Sequence, residues 1–71
     1  MIPLTVNGEP RESDADTLEA VFQAEAEARG LEDARGIAIA VNGRVVRRAA
    51  WGETPVQPGD RVEIVRAMQG G

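Results

Sequence analysis

Apolar residues alternate with other residues at Ile2, Leu4 and Val6, again at Ile37, Ile39 and Val41, and a third time at Val62 and Ile64. Alternation sends successive side chains to opposite faces, so each run predicts a strand with one buried face. Asn7-Gly8 and Asn42-Gly43 follow the first two runs directly. Both residue types tolerate the positive φ of a type I′ turn, and each pair therefore predicts a hairpin. Glu9 to Ser13 and Arg44 to Arg48 are the predicted return strands. Pro10 has no amide to give to a ladder, and both returns are polar or charged, which places them at the edges of a sheet. Val-Asn-Gly occurs in both halves, but the residues around it do not match, so these are two similar hairpins rather than an internal repeat.

Between the hairpins the period changes. Leu18, Val21 and Phe22 stand at i, i+3 and i+4, one stripe of a helix facing a core. Asp16 or Thr17 is the predicted N-cap, with Asp16 and Glu19 at capping-box spacing. Past Phe22 the stripe thins to Ala24, Ala26 and Ala28, which support the helix more than they pack it. Gly30 is the predicted stop, with Leu31 behind it for a hydrophobic contact across the cap. Trp51 and Gly52 fall in an irregular connection, and Pro58-Gly59-Asp60 forms a turn before the last strand, Arg61 to Arg66. Four or five short strands and one main helix are economically arranged as an α+β fold, a mixed sheet with the helix across one face. If the first and last strands meet at the centre, this is the β-grasp, or ubiquitin-like, architecture. Residues 1–66 then form the domain and residues 67–71 a flexible C-terminal tail.

Composition narrows the chemistry. With 71 residues the chain holds one core and no deep pocket with its own catalytic apparatus. Cysteine and histidine are both absent, which removes thiolates, imidazole bases, disulfides and the usual zinc ligands. A net charge of −4 disfavours nonspecific nucleic-acid binding. No apolar run is long enough for a bilayer and the N-terminal residues lack a signal-peptide pattern, so the expected location is cytoplasmic, away from membranes. All eight basic residues are arginine, leaving no side-chain amine on which chains of its own kind could be built. Glu25, Glu27, Glu32 and Asp33 read as a solvated helix end and loop, because no glycine-containing loop of spaced oxygen ligands accompanies them. Arg47, Arg48 and Trp51 combine residue types enriched in binding hot spots. Trp51 is expected to cover an open end of the core, half-exposed, with a share in partner contact beside Arg48.

The last strand runs into Arg66, Ala67, Met68, Gln69, Gly70 and Gly71. A glycine pair carries no side chains and can thread a narrow channel, while a C-terminal carboxylate is anionic at neutral pH and must be activated before it can transfer an acyl group. A frayed terminus would look similar in isolation, but a strand leading straight into the pair favours a presented carboxylate.

Ala40-Val41-Asn42-Gly43-Arg44-Val45-Val46, Arg48-x-x-Trp51, Pro58-Gly59-Asp60-Arg61-Val62-Glu63-Ile64-Val65 and Gly70-Gly71 together resemble the ThiS family of thiamine-biosynthesis sulfur carriers. Arg47, where family members often have proline, and a slightly long Ala28 to Gly36 segment depart from the pattern. The resemblance implies a protein co-substrate, monomeric when free, that binds no cofactor and is not itself an enzyme. Gly71 would be adenylated by a ThiF-type adenylyltransferase using its own ATP and magnesium, with Gly70 giving access. Sulfur from a cysteine desulfurase or another donor would convert it to a thiocarboxylate, which passes sulfur to the thiazole synthase ThiG. Arg48, Trp51, Arg66, Met68 and Gln69 are the expected partner contacts. Gly59-Asp60 and the terminal glycines are shared with the small sulfur-donating subunit of molybdopterin synthase, and a ubiquitin-like protein modifier is a further alternative.

Overall fold

The strand that begins at Arg61 lies in the middle of the sheet, although it comes last in chain order among the described strands. In the computed structural model, which describes residues 1–30 and 35–66, the five strands are β1 (Ile2–Val6), β2 (Glu9–Ser13), β3 (Ile37–Val41), β4 (Arg44–Val46) and β5 (Arg61–Arg66). They are ordered β2-β1-β5-β3-β4. Helix α1 spans Leu18–Arg29 and a 3₁₀ helix spans Arg48–Glu53. β1 and β5 run parallel, and every other neighbouring pair is antiparallel. The sheet is therefore mixed, with the polar return strands at its two edges as their composition requires. This is the β-grasp arrangement.

Both hairpins turn on their Asn-Gly pairs, with φ of 52° and 83° at Asn7 and Gly8 and 53° and 84° at Asn42 and Gly43. One sheet face carries Leu4, Val6, Ile39, Val62 and Ile64 into a core shared with Leu18, Val21 and Phe22 of α1, and with Trp51 and Val56. Each such apolar side chain contributes about 1.5–3 kcal/mol when fully buried.

Of the two N-cap candidates the structure uses Thr17, whose hydroxyl accepts from the Ala20 amide at 3.2 Å. The Asp16 carbonyl accepts from the Val56 amide at 3.1 Å, and with Thr17 as the N-cap the Asp16–Glu19 box is not the one that starts the helix. The fourth strand ends at Val46 rather than Arg48, because the chain winds into the 3₁₀ helix, where the Ala50 amide donates to the Arg47 carbonyl. The connection around Trp51 is thus regular, not irregular. Gly30 does stop α1 in a left-handed conformation, its amide bonding the Ala26 and Glu27 carbonyls. The predicted Leu31 contact lies outside the described residues.

Candidate functional site

β5 positions everything that follows Arg66, and its anchorage is uneven along its length. β3 pairs with it from Val41↔Val62 to Ile37↔Arg66. β1 pairs only at Thr5↔Arg61 and Val6↔Val62. Where β1 ends, the Asn7 side chain takes over: its Nδ2 donates to the Ile64 carbonyl at 3.1 Å and its Oδ1 accepts from the Ile64 amide at 2.8 Å. The amide side chain thus behaves as one more ladder residue. On the opposite flank Asn42 accepts from the Arg61 amide at 2.9 Å and donates to Asp60 Oδ1 at 3.0 Å. The two turn asparagines clamp the central strand from both sides. Their recurrence was visible in the sequence as Val-Asn-Gly, but a shared target was not, because hairpin patterns say nothing about which third strand lies between.

Of the expected partner contacts, Arg66 ends β5 with its side chain exposed. Arg48 opens the 3₁₀ helix that follows β4 and is also exposed. Met68, Gln69, Gly70 and Gly71 lie outside the described residues. Trp51 is not half-exposed: only 3% of it reaches solvent. Its ring stacks at a tilt on Phe22, centroids 5.1 Å apart, and its Nε1–H donates to the Val46 carbonyl at 2.8 Å. The indole has both an apolar wall and a hydrogen-bond acceptor inside, so it packs there and offers no docking surface; the exposed arginines stand without it.

The sheet face opposite α1 carries apolar positions that were overlooked. Val45 is 72% and Val65 55% exposed. Register places Ala40 beside Val45 and Ala38 beside Val65, so the four share this uncovered face across β4, β3 and β5. Strand parity was the available signal, since a run that buries Val62 and Ile64 must turn Val65 outward.

Glu25 also departs from its sequence reading. It is 8% exposed rather than solvated, and accepts from Arg11 Nε at 3.1 Å with Arg29 Nε at 3.5 Å. The hydrogen bond to Glu25, then that to Glu9, raises the Arg11 pKa above its ordinary value. This group ties edge strand β2 to the helix. Glu32 and Asp33 lie outside the described residues. Among those described, no group of three histidine, cysteine, aspartate or glutamate side chains is placed to hold a metal ion.

An open groove of about 430 Å³ lies beside the second hairpin, lined by Val41, Val46, Arg44, Thr54 and Asp60 among others. The Asp60 carboxylate is occupied there by Asn42 Nδ2 and by the Gln57 amide at 2.9 Å. Asn42 and Asp60 put the groove at the start of β5, the opposite end from Arg66. No helix among the described residues is long and apolar enough to cross a membrane.

A five-stranded mixed sheet grasping one helix defines the ubiquitin-like, or β-grasp, class. Within that class the chain belongs to the ThiS family, whose model matches residues 4–71. It is similar to the crystal structure of the thiamine biosynthesis protein ThiS from Geobacter metallireducens, at 33% identity and a TM-score of 0.73, covering 99% of this chain and 100% of that one. An NMR solution structure of a thiamine biosynthesis protein from Geobacter metallireducens is similar at 32% identity and a TM-score of 0.63, with 99% of this chain and 88% of that one covered. No curated protein matches the chain.

Proposed function

We propose that this ThiS-family chain carries sulfur for thiazole formation on the carboxylate of Gly71. A ThiF-type adenylyltransferase, with its own ATP and magnesium, joins AMP to that carboxylate and releases pyrophosphate. A persulfide supplied by a cysteine desulfurase displaces AMP to give an acyl disulfide, which a thiol reductant cleaves to the thiocarboxylate, while a sulfide-level donor would displace AMP to give it directly; the thiocarboxylate serves the thiazole synthase ThiG. In this reading the protein is a substrate of its partners, and its own residues supply presentation rather than catalysis.

The observation that carries the reading is the reach of the family match, which runs through Gly70-Gly71 as well as the folded body. The physics of the fold supports it. A clamped central strand gives a stable base, and two residues without side chains can enter a channel that would exclude any others. The same match favours ThiS over the molybdopterin-synthase subunit and the protein modifier.

Intact mass after incubation with the adenylating partner, ATP and a sulfur source tests the proposal. The expected result is a gain equal to replacing one oxygen by sulfur, mapped to Gly71 and absent when Gly71 is deleted. An unchanged mass, with a partner active on a control carrier, would refute it.

A further inference from the structure

Both asparagines of the chain are followed by glycine, and this dipeptide has a chemistry of its own besides its turn geometry. The glycine nitrogen can attack the asparagine Cγ, since no Cβ on the following residue stands in its way. A bond forms between that nitrogen and Cγ, the Cγ–Nδ2 bond breaks, and the nitrogen's proton leaves with Nδ2 as ammonia. Water then opens the resulting succinimide ring at either carbonyl, giving aspartate or β-linked isoaspartate. Nothing else is consumed. Attack requires the carboxamide to leave its hydrogen bonds, so the fold decides which site reacts.

Turn geometry does not separate the two sites. φ is 52° at Asn7 and 53° at Asn42, and Gly8 and Gly43 both face open space. The hydrogen bonds do separate them. Releasing Asn7 strands the amide and the carbonyl of Ile64, a residue only 4% exposed. Unpaired polar groups held away from water are costly, so that opening is opposed. Releasing Asn42 frees the Arg61 amide and the Asp60 carboxylate, where both bonds already lie exposed. Asp60 keeps a partner throughout, the Gln57 amide at 2.9 Å.

We propose that Asn42-Gly43 is a site of spontaneous deamidation in the folded protein, that Asn7 is protected by its bonds to Ile64, and that conversion cuts the second hairpin's clamp on β5. The new carboxylate takes the place of the amide group that faced Asp60 Oδ1 at 3.0 Å, which sets like charges against each other. The Gln57 amide holds Asp60 in that position. Isoaspartate also lengthens the main chain inside the two-residue turn that closes the Val41↔Arg44 pair.

The test incubates the unsubstituted chain at mildly alkaline pH, folded and in denaturant, and follows amide-to-acid conversion at each asparagine by peptide mass mapping. The denatured chain gives the intrinsic ratio of the two sites. Relative to that ratio, Asn42 should convert about three- to tenfold faster than Asn7 in the folded protein. A folded ratio equal to the denatured one, or shifted toward Asn7, would overturn the proposal. So would a folded chain that converts at neither site while the denatured chain converts at both. Chain converted at Asn42 alone, isolated by anion exchange, should melt below the unconverted chain; an unchanged melting temperature would overturn the cut clamp. Asn42→Gly has no carboxamide to lose, so the product mapped to residue 42 should vanish from it, and its persistence would overturn the assignment.

Discussion

The two hairpins look interchangeable in sequence, yet they are secured by different physics. Each contributes an asparagine clamp on β5, and each ties its outer strand down once more. In the first, Arg11 on β2 reaches the nearly buried Glu25 on α1, an ionic tether at the protein's rim. In the second, the Val46 carbonyl at the end of β4 receives the Trp51 indole from inside the core. The clamps differ as well. Asn7 satisfies both backbone groups of the buried Ile64, whereas both bonds made by Asn42, to the Arg61 amide and the Asp60 carboxylate, are exposed. A turn motif therefore specifies the local bend, and its energetic weight comes from what the rest of the chain places against it.

Substitutions can break this contrast or sharpen it. Trp51→Ala should be the most damaging, costing about 3–5 kcal/mol in denaturant unfolding, because it removes the wall against Phe22 and the tether of β4 together. Asn7→Gly comes next. Glycine keeps the positive φ of the turn, so the expected loss of about 1–3 kcal/mol isolates the two bonds to Ile64. A melting temperature unchanged by Asn7→Gly would show that water replaces the clamp.

Arg11→Met should lower the melting temperature at low salt, with the difference shrinking as salt rises; neither Trp51 nor Asn7 substitutions should share that salt dependence. The pH direction follows from the raised Arg11 pKa. A cation whose pKa is higher in the folded state contributes fully below its unfolded pKa and loses that contribution only as pH climbs through the raised value. The tether should therefore not titrate away between neutrality and the ordinary arginine range, a flat stretch that melts at stepped alkaline pH would reveal. Asn42→Gly should be the mildest, about 0.5–1 kcal/mol, since solvent reaches both of its partners. A loss matching that of Asn7→Gly would erase the difference between the hairpins.

The parts of this fold legible in sequence were those with a short-range cause. Alternation marked β1, β3 and β5, Pro10 and the arginines marked the edges, and Gly30 marked the end of α1. What escaped depended on distant neighbours. Glu25 sits among alanines and glutamates and looks solvated until β2 brings Arg11 across fourteen residues of chain. The sequence offered Asp16 and Thr17 alike as the N-cap, and what distinguishes them is the distant segment holding Pro55 and Val56, which pairs with that stretch. Trp51 was placed over the core correctly in direction and too shallowly in depth, since no local pattern marks the 3₁₀ helix that turns it inward. At the candidate site, Arg66 and the family motifs were readable from the chain alone. The one-sided pairing of β5 was not, because it depends on where β1 stops.

The parallel contact between β1 and β5 also governs when the protein can first exist as a fold. Val6 meets Val62, so the opening strand cannot complete its row until Arg61 and Val62 have been made. The loop that closes between them encloses both hairpins and the helix, a nonlocal contact whose entropy must be overcome late. During synthesis the first hairpin and α1 emerge with their apolar faces unpaired, waiting for the strand that will divide the two hairpins. A nascent chain halted before Arg61 should remain open to proteases, and release of the closing residues should protect the whole length in a single step.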